Sequence, residues 1–344
     1  MFITFILPED NRSGGVRVTA IMAQLLLERG HTVRICLVRK PRASEKLRKF
    51  SRRIRNIKDD GWLHLFSGAV EETPDINAAN FTPGEIVIAV GTYMVPHLVR
   101  ITADVIKLRY NHGLPAEFDA AAETAWSHNL PSITVSGTLV PRLEELAPKT
   151  CLGVVPNGID PNQYYDMDLA RDGIGVFYGR HPNKAPDFIK SVLTRLQEIL
   201  PDTPLYLIST EECPPELSFV QAFRYPPVEK VREIYNLCRV WLLPSDTEGL
   251  PGPVLEAMSC GTLVVSTDNL GSLEIIEHNE TGLISPRRDL QGLVENVQLA
   301  MADDRLWQRI TDAGKSRASG FSWSAAADKM ELILQELPKA QGRI

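Results

Sequence analysis

The sequence predicts an α/β protein of two domains, each a parallel sheet covered by helices on both faces. Three observations carry this prediction. Short apolar runs rich in β-branched residues alternate with longer helical patterns along the 344 residues. The runs are continuously apolar, the pattern of strands buried on both faces. The alternation comes in two series, separated by a stretch rich in Pro, Gly, Asn and Asp at 156–173. At about 150 residues per domain, the length also fits two.

The first series opens with Phe2–Leu7, followed at once by Pro8, Glu9 and Asp10. It is too short for an export signal and lacks a basic start, so it reads as a buried first strand. Val16–Arg29 is helical, with Ile21, Leu25 and Leu26 at helix spacing and Gly30 as the stop. Thr32–Val38 is the second strand, and Ile86–Val90, Val105–Tyr110, Ile133–Ser136 and Leu152–Val155 continue the series. The second series runs from the strand Gly175–Tyr178 through the helix Asp187–Leu200 and the strands Leu205–Ile208 and Val240–Leu243. It continues with the helix Val254–Ser259 and the strand Leu263–Ser266. A last helical stretch, Phe321–Leu337, follows. The expected domains are 1–160 and 161–320. Ligands of such sheets bind beyond the carboxyl ends of the strands, so the expected site is a cleft between two facing domains.

Composition narrows the function. Hydrophobic residues are 44% and charged residues 23%, the balance of a soluble chain with a core. No run reaches the ~18 apolar residues of a membrane span. With 37 Lys and Arg against 43 Asp and Glu the net charge is −6, a poor match to nucleic acid. Cys36, Cys151, Cys213, Cys238 and Cys260 have no C-x2-C spacing, and the seven histidines form no HExxH. These read as reduced thiols with no metal site, and together with the missing export signal they favour the cytoplasm.

The strongest chemical signal is Ser245–Gly261, SDTEGLPGPVLEAMSCG, after the strand Val240–Leu243. A Gly- and Pro-rich turn entering a helix offers backbone N–H groups at the positive end of the helix dipole, which suits a phosphate. Gly249 and Gly252 allow close approach of a ligand, and Pro253 fits the first helical turn. Glu256, inside the helix, can accept from a ribose diol, and Glu248, at the strand end, would face a reacting sugar.

The stretch Glu248-Gly249-Leu250-Pro251, with Glu256 eight positions after Glu248 in Leu255-Glu256-Ala257-Met258, resembles the E-x7-E nucleotide-sugar motif of retaining glycosyltransferases of family 4. Further segments resemble that family in the expected order: NRSGGV at 11–16, VVPNGID at 154–160, GRHPNKAPD at 179–187 and TGLI at 281–284. The resemblance is firm over about 151–300 and looser over 1–150. It implies the GT-B fold, two facing Rossmann-like domains, with the helix 321–337 crossing back onto the first.

It also implies site residues. Arg180 and Lys184 would grip the donor diphosphate, where fixed cations stabilise the charge that grows on the leaving group. Gly249, Leu250, Gly252 and Glu256 would hold the donor, and Glu248 and His112 would position the sugar. His112 follows the strand Val105–Tyr110 in RYNHG; Arg109 and Asn111 beside it are weaker candidates. Gly14 and Gly15, ahead of the first helix, would approach the donor phosphate. Their S-G-G-V pattern is not G-x-G-x-x-G, and the second strand ends in Val38, Arg39 and Lys40 without an acid, which disfavours a nicotinamide enzyme. Asn157, Gly158 and Asp160 read as a turn and hinge.

The implied activity is retaining and metal-independent, without a cofactor. A hexosyl group passes from a nucleoside diphosphate sugar, UDP or GDP, to a hydroxyl of a saccharide or lipid-linked acceptor in surface glycan synthesis. The alternatives are a nucleotide-sugar-binding protein that has lost catalysis, or a GT-B epimerase or phosphorylase. One feature lies outside the motif. Arg39–Lys58 holds ten basic residues and one acid, with Leu47, Phe50, Ile54 and Ile57 at helical spacing. Residues 42–57, with Arg48, Arg52 and Arg53, read as a basic amphipathic helix for an anionic membrane surface.

Overall fold

The computed structural model describes residues 1–39, 61–114 and 125–340. The chain divides into two compact units. The first comprises Met1–Val135, Val140–Val155 and Ala326–Ile344, and the second comprises Ser136–Leu139 and Pro156–Ala325.

The first unit is built on β1 (Phe2–Leu7), β2 (Thr32–Val38), β3 (Ala69–Thr73), β4 (Glu85–Val90), β5 (Val105–Asn111), β6 (Ser132–Thr134) and β7 (Cys151–Val154). They form one sheet in the order β3-β2-β1-β4-β5-β6-β7, every neighbouring pair parallel. The order reverses between β1 and β4, which makes their carboxyl ends the switch point of this sheet. Its helices among the described residues include α1 (Gly14–Glu28), α2 (Val95–Arg100) and α3 (Val140–Leu146). Ile6, Cys36, Val87 and Ala89 of the strands pack with Val95 and Leu98 of α2 in one buried cluster.

The second unit contains β8 (Gly173–Tyr178), α4 (Pro186–Ile199), β9 (Leu205–Ser209), β10 (Gln221–Arg224), α5 (Val228–Leu237) and β11 (Cys238–Leu243). It continues with α6 (Gly252–Ser259), β12 (Leu263–Thr267), α7 (Gly271–Ile275), β13 (Leu283–Ser285), α8 (Leu290–Ala302) and α9 (Asp304–Ser319). Its six-stranded parallel sheet has the order β10-β9-β8-β11-β12-β13 and reverses between β8 and β11. Val176, Leu207, Leu242 and Val265 of the sheet meet Ile189, Leu193 and Leu196 of α4 and Leu293 and Val297 of α8. Each such side chain contributes about 1.5–3 kcal/mol on burial. The last helix, α10 (Trp323–Ala340), belongs to the first unit from Ala326 onward. Its Arg29–Asp328 ion pair spans 2.6 Å and its His31–Glu331 contact 3.0 Å.

Several elements differ from the sequence reading. Gly14 and Gly15 do not precede the first helix; they are its first residues, because Ser13 takes the cap position and its hydroxyl accepts from the Val16 N–H. The strands β3 and β10 were not expected, since neither carries a buried apolar run. Arg48, Arg52, Arg53 and the whole of 42–57 lie outside the described residues. Among the described residues, no helix is long and apolar enough to cross a membrane. All five cysteines are free thiols. Burial pushes Cys36 up to about 11 and Cys260 to about 12, which leaves both unreactive near neutral pH.

Candidate active site

The switch point of the second sheet gathers the motif residues. After β8, Gly179 and Arg180 lead into a short turn, Pro182–Lys184, closed by Ala185 in the left-handed region at φ 51°. After β11, the loop 245–251 leads into α6. The two segments are stitched together: Asp246 N donates to the Asn183 carbonyl at 2.8 Å, and Asn183 Nδ2 donates to the Thr247 carbonyl at 3.3 Å. This brings Lys184 Nζ to 2.6 Å from Glu248 Oε1, with the lysine side chain 39% exposed and the glutamate 9%. The lysine stem runs over Gly179, where a Cβ would sit 3.7 Å from Lys184 Cγ. One cation and one carboxylate therefore stand at the crevice where doubly wound sheets bind ligands.

The backbone of Glu248 is clamped from β12. Its N–H donates to the Asn269 carbonyl at 2.9 Å, and its carbonyl accepts from Gly271 N at 3.2 Å. Between them Leu270 is held at φ 66°, ψ −68°, with Gly271 N also bonded to the Asn269 carbonyl at 2.9 Å, a γ-turn. Such a conformation costs of order 1–3 kcal/mol and persists where its surroundings over-determine it. Here Asn269 provides that support: its Oδ1 accepts from Ser272 N at 3.0 Å, and its Nδ2 donates to Ser266 Oγ at 3.1 Å. A Cβ on Gly271 would fall 2.5 Å from the Gly249 oxygen. On the other side, Asn157 Nδ2 donates to the Leu250 carbonyl at 2.8 Å. Leu250 itself is buried.

Gly252 opens α6, with Pro253 in its first turn. Glu256, one turn inside, is 4% exposed and accepts from Tyr235 Oη at its Oε2, 2.9 Å. Burial and the neighbouring Glu256 push the Tyr235 phenol well above its ordinary range, so it stays a donor across the working pH range. Arg180 is not joined to the Lys184–Glu248 pair. Its side chain, 66% exposed, pairs with Glu211 at 2.9 Å.

In the first unit the structure brings Gly14, Gly15 and His112 together. A Cβ at Gly15 would lie 3.8 Å from His112 Cγ, and one at Gly14 would meet open space. The His112 ring leans on Tyr110, centroids 4.2 Å apart, and its Nε2 is buried without a hydrogen-bond partner among the described residues. Burial pushes His112 down to about 4, so the ring is neutral at pH 7. Beside it Arg109 is fully buried and stacked on Trp126 at 3.7 Å, and Asn111 Nδ2 bonds the Ile133 carbonyl at 3.0 Å. Arg109 Nε and Nη2 and Asn111 Oδ1 are buried without a hydrogen-bond partner among the described residues. Sequence reasoning missed Glu211, Tyr235, Asn269 and Gly271. Of these only Gly271, a glycine just past a strand, carries a local signal.

Comparison with known proteins agrees with this geometry. Residues 219–317, which include Glu248 and Glu256, match the family model described as glycosyl transferases, group 1. The chain is 31% identical over 106 residues to the O-antigen chain mannosyltransferase B of Escherichia coli, covering 30% of this chain and 27% of that protein. It is 35% identical over 74 residues to the N,N'-diacetylbacillosaminyl-diphospho-undecaprenol alpha-1,3-N-acetylgalactosaminyltransferase of Campylobacter jejuni, covering 22% and 20%. The matched segments thus span about a quarter of the length of these relatives. Among solved structures, HepE of Anabaena in complex with UDP and glucose superposes with a TM-score of 0.76 at 14% identity, over 98% of this chain and 100% of that one. The fold is that of the GT-B glycosyltransferases. The group 1 match falls on the GT-B unit that carries the Lys184–Glu248 pair.

Proposed function

We propose that this chain is a retaining, metal-independent glycosyltransferase. It moves a hexosyl group from a UDP- or GDP-sugar to a hydroxyl of a saccharide or lipid-linked acceptor in cell-surface glycan synthesis. The observation that carries the reading is the Lys184–Glu248 pair at the switch point of the second sheet, 2.6 Å apart, beside a helix start that also holds Glu256.

In this reading Lys184 exchanges Glu248 for the donor diphosphate, joined there by Arg180. The bond from the anomeric carbon to the diphosphate oxygen breaks, and its electron pair leaves with the nucleoside diphosphate. Two cations stabilise that charge where it develops. The acceptor oxygen bonds to the same face of the anomeric carbon, and its proton passes to the departing phosphate oxygen. Glu248 and the neutral ring of His112 position the sugar, Glu256 holds the ribose, and Gly249, Leu250 and Gly252 offer backbone to the donor. Gly14 and Gly15 approach the donor phosphate and the acceptor. Residues 161–320 serve the donor and 1–160 the acceptor. The basic segment 42–57 would hold the enzyme peripherally at the cytoplasmic face of an anionic membrane.

The likeness to a mannosyltransferase of O-antigen and to an enzyme acting on a diphospho-undecaprenol substrate supports the surface-glycan role. The likeness to a structure holding UDP supports the donor class. Thermal shift with UDP, GDP, dTDP and ADP, each with and without Mg2+, tests this. A ligand at about 100 times its Kd adds about 2.7 kcal/mol to the native state. One nucleotide should raise the Tm equally with and without the metal. Stabilisation by none of them, in a folded sample, refutes the reading. Glu248→Gln is expected to fold and lose transfer; full turnover in that variant removes Glu248 from the site.

A further inference from the structure

We propose that Tyr235 is a positioning residue for the nucleotide ribose: its hydroxyl fixes the rotation of the Glu256 carboxylate and so sets how strongly the site prefers a ribonucleotide to a deoxyribonucleotide. The inference rests on the reading of Glu256 as the ribose-holding residue.

The geometry is specific. Tyr235 lies on α5, fully buried, and Glu256 on α6, 4% exposed. The hydroxyl donates to Oε2 at 2.9 Å. The other oxygen faces the start of α6, where a Cβ on Gly252 would sit 3.8 Å from Oε1. A carboxylate's last torsion is broad and roughly two-fold. A bond to a fixed donor narrows that freedom.

Tyr235 is itself fixed from several sides. Its ring centroid lies 4.4 Å from Trp241 of β11, 6.1 Å from Tyr164 and 6.4 Å from Phe177 of β8. Its carbonyl accepts from Thr262 Oγ1 at 2.6 Å. Trp241 is fully buried, so this post cannot swing without disturbing the centre of the sheet. The hydroxyl is thus a stationary donor behind the Glu256 carboxylate, held in a cluster of aromatic rings. A group held this way makes its hydrogen bonds to a ligand without a further ordering cost.

The test is isothermal titration with UDP and dUDP, and in parallel with GDP and dGDP, on the full chain and three variants: Tyr235→Phe, Glu256→Gln and the double variant. Tyr235→Phe removes one oxygen and keeps the ring. A hydrogen bond to a charged group corresponds to about a 10- to 100-fold preference for the ribonucleotide in the parent. In Tyr235→Phe this preference should fall to within about three-fold of unity, with deoxyribonucleotide affinity unchanged within about two-fold. The double variant should lose no more than Glu256→Gln alone, because the tyrosine acts through the glutamate.

A parent-like preference in Tyr235→Phe, beside a collapsed one in Glu256→Gln, overturns the positioning role and leaves the ribose reading intact. A parent-like preference in Glu256→Gln, or none in the parent, overturns the ribose reading and the inference with it. An additional loss in the double variant overturns action through Glu256. The double variant, read against Glu256→Gln, keeps the comparison available if Tyr235→Phe alone folds poorly.

Discussion

Gly271→Ala probes the clamp on Glu248 directly. The new Cβ would fall 2.5 Å from the Gly249 oxygen, 2.7 Å from its carbonyl carbon and 2.9 Å from the Glu248 oxygen. All three are backbone atoms, so no side chain can rotate away. Restoring ordinary contact at about 3.4 Å requires a displacement of about 0.9 Å, shared between the loop 248–249 and the γ-turn at Leu270. Overpacking of this kind costs about 1–3 kcal/mol. In a unit of this size, that lowers Tm by roughly 3–10 °C. The effect on function should be larger, since a misplacement of about 1 Å near the reacting groups costs on the order of 100-fold in rate. The assay is transfer or donor hydrolysis alongside calorimetry. Gly252→Ala serves as the control for stability, because its Cβ meets only Glu256 Oε1 at 3.8 Å. If Gly271→Ala keeps parent kcat within two-fold and parent Tm within a degree, the clamp does not set the position of Glu248.

Three further outcomes follow from the geometry. His112 is pushed down to about 4, so between pH 6.5 and 4 the unfolded chain binds a proton that the folded one does not. Stability should fall with pH over that window, by about 3 kcal/mol in all, and hold steady above it; denaturant titrations of His112→Gln should lack this part of the slope. At Gly158, a Cβ would meet the Trp323 backbone nitrogen and lie 2.6 Å from its Cα, so Gly158→Ala should lose about 1–3 kcal/mol, read as a lower urea midpoint at unchanged m. Neutralising Arg48, Arg52 and Arg53 together should weaken binding to anionic vesicles, at about 1 kcal/mol per charge near the surface; equal binding by variant and parent rejects the membrane role of 42–57.

The fold was legible where burial on both faces leaves a continuous apolar signature. The bounds of β1 and β2 follow from FITFIL and TVRICLV alone. Two edge strands escaped because their side chains face water, and AVEET and QAFR look like loops until the neighbouring strand supplies the hydrogen-bond partners; the edge strand β13, mostly buried but only three residues long, was also not expected. The site shows the same division. Glu248, Glu256 and Lys184 stand in a linear motif. Tyr235 and Asn269 act through contacts to residues distant in sequence and have no spacing to read. The sequence assigns Arg180 to the diphosphate, whereas the side chain pairs with Glu211, 31 positions away. That partner is a product of the sheet order, β8 beside β9, and periodicity does not fix it.

The assignment of α10 to the first unit bears on how the protein is made. The unit that begins to leave the ribosome first needs residues from Ala326 onward to finish, after the whole of Pro156–Ala325 has been synthesised. At about 5–20 residues per second, that interval lasts roughly 10–30 s. Ala326, Ala327, Met330, Leu334 and Leu337 are all buried in the finished molecule, and Ile333 packs over Gly153 of β7. Until they arrive, the surface they cover stays open to solvent and to other nascent chains. The second unit, contiguous apart from Ser136–Leu139, meets no such delay. Biogenesis should therefore run against the order of translation, with the second unit mature while the first still waits for its last helix.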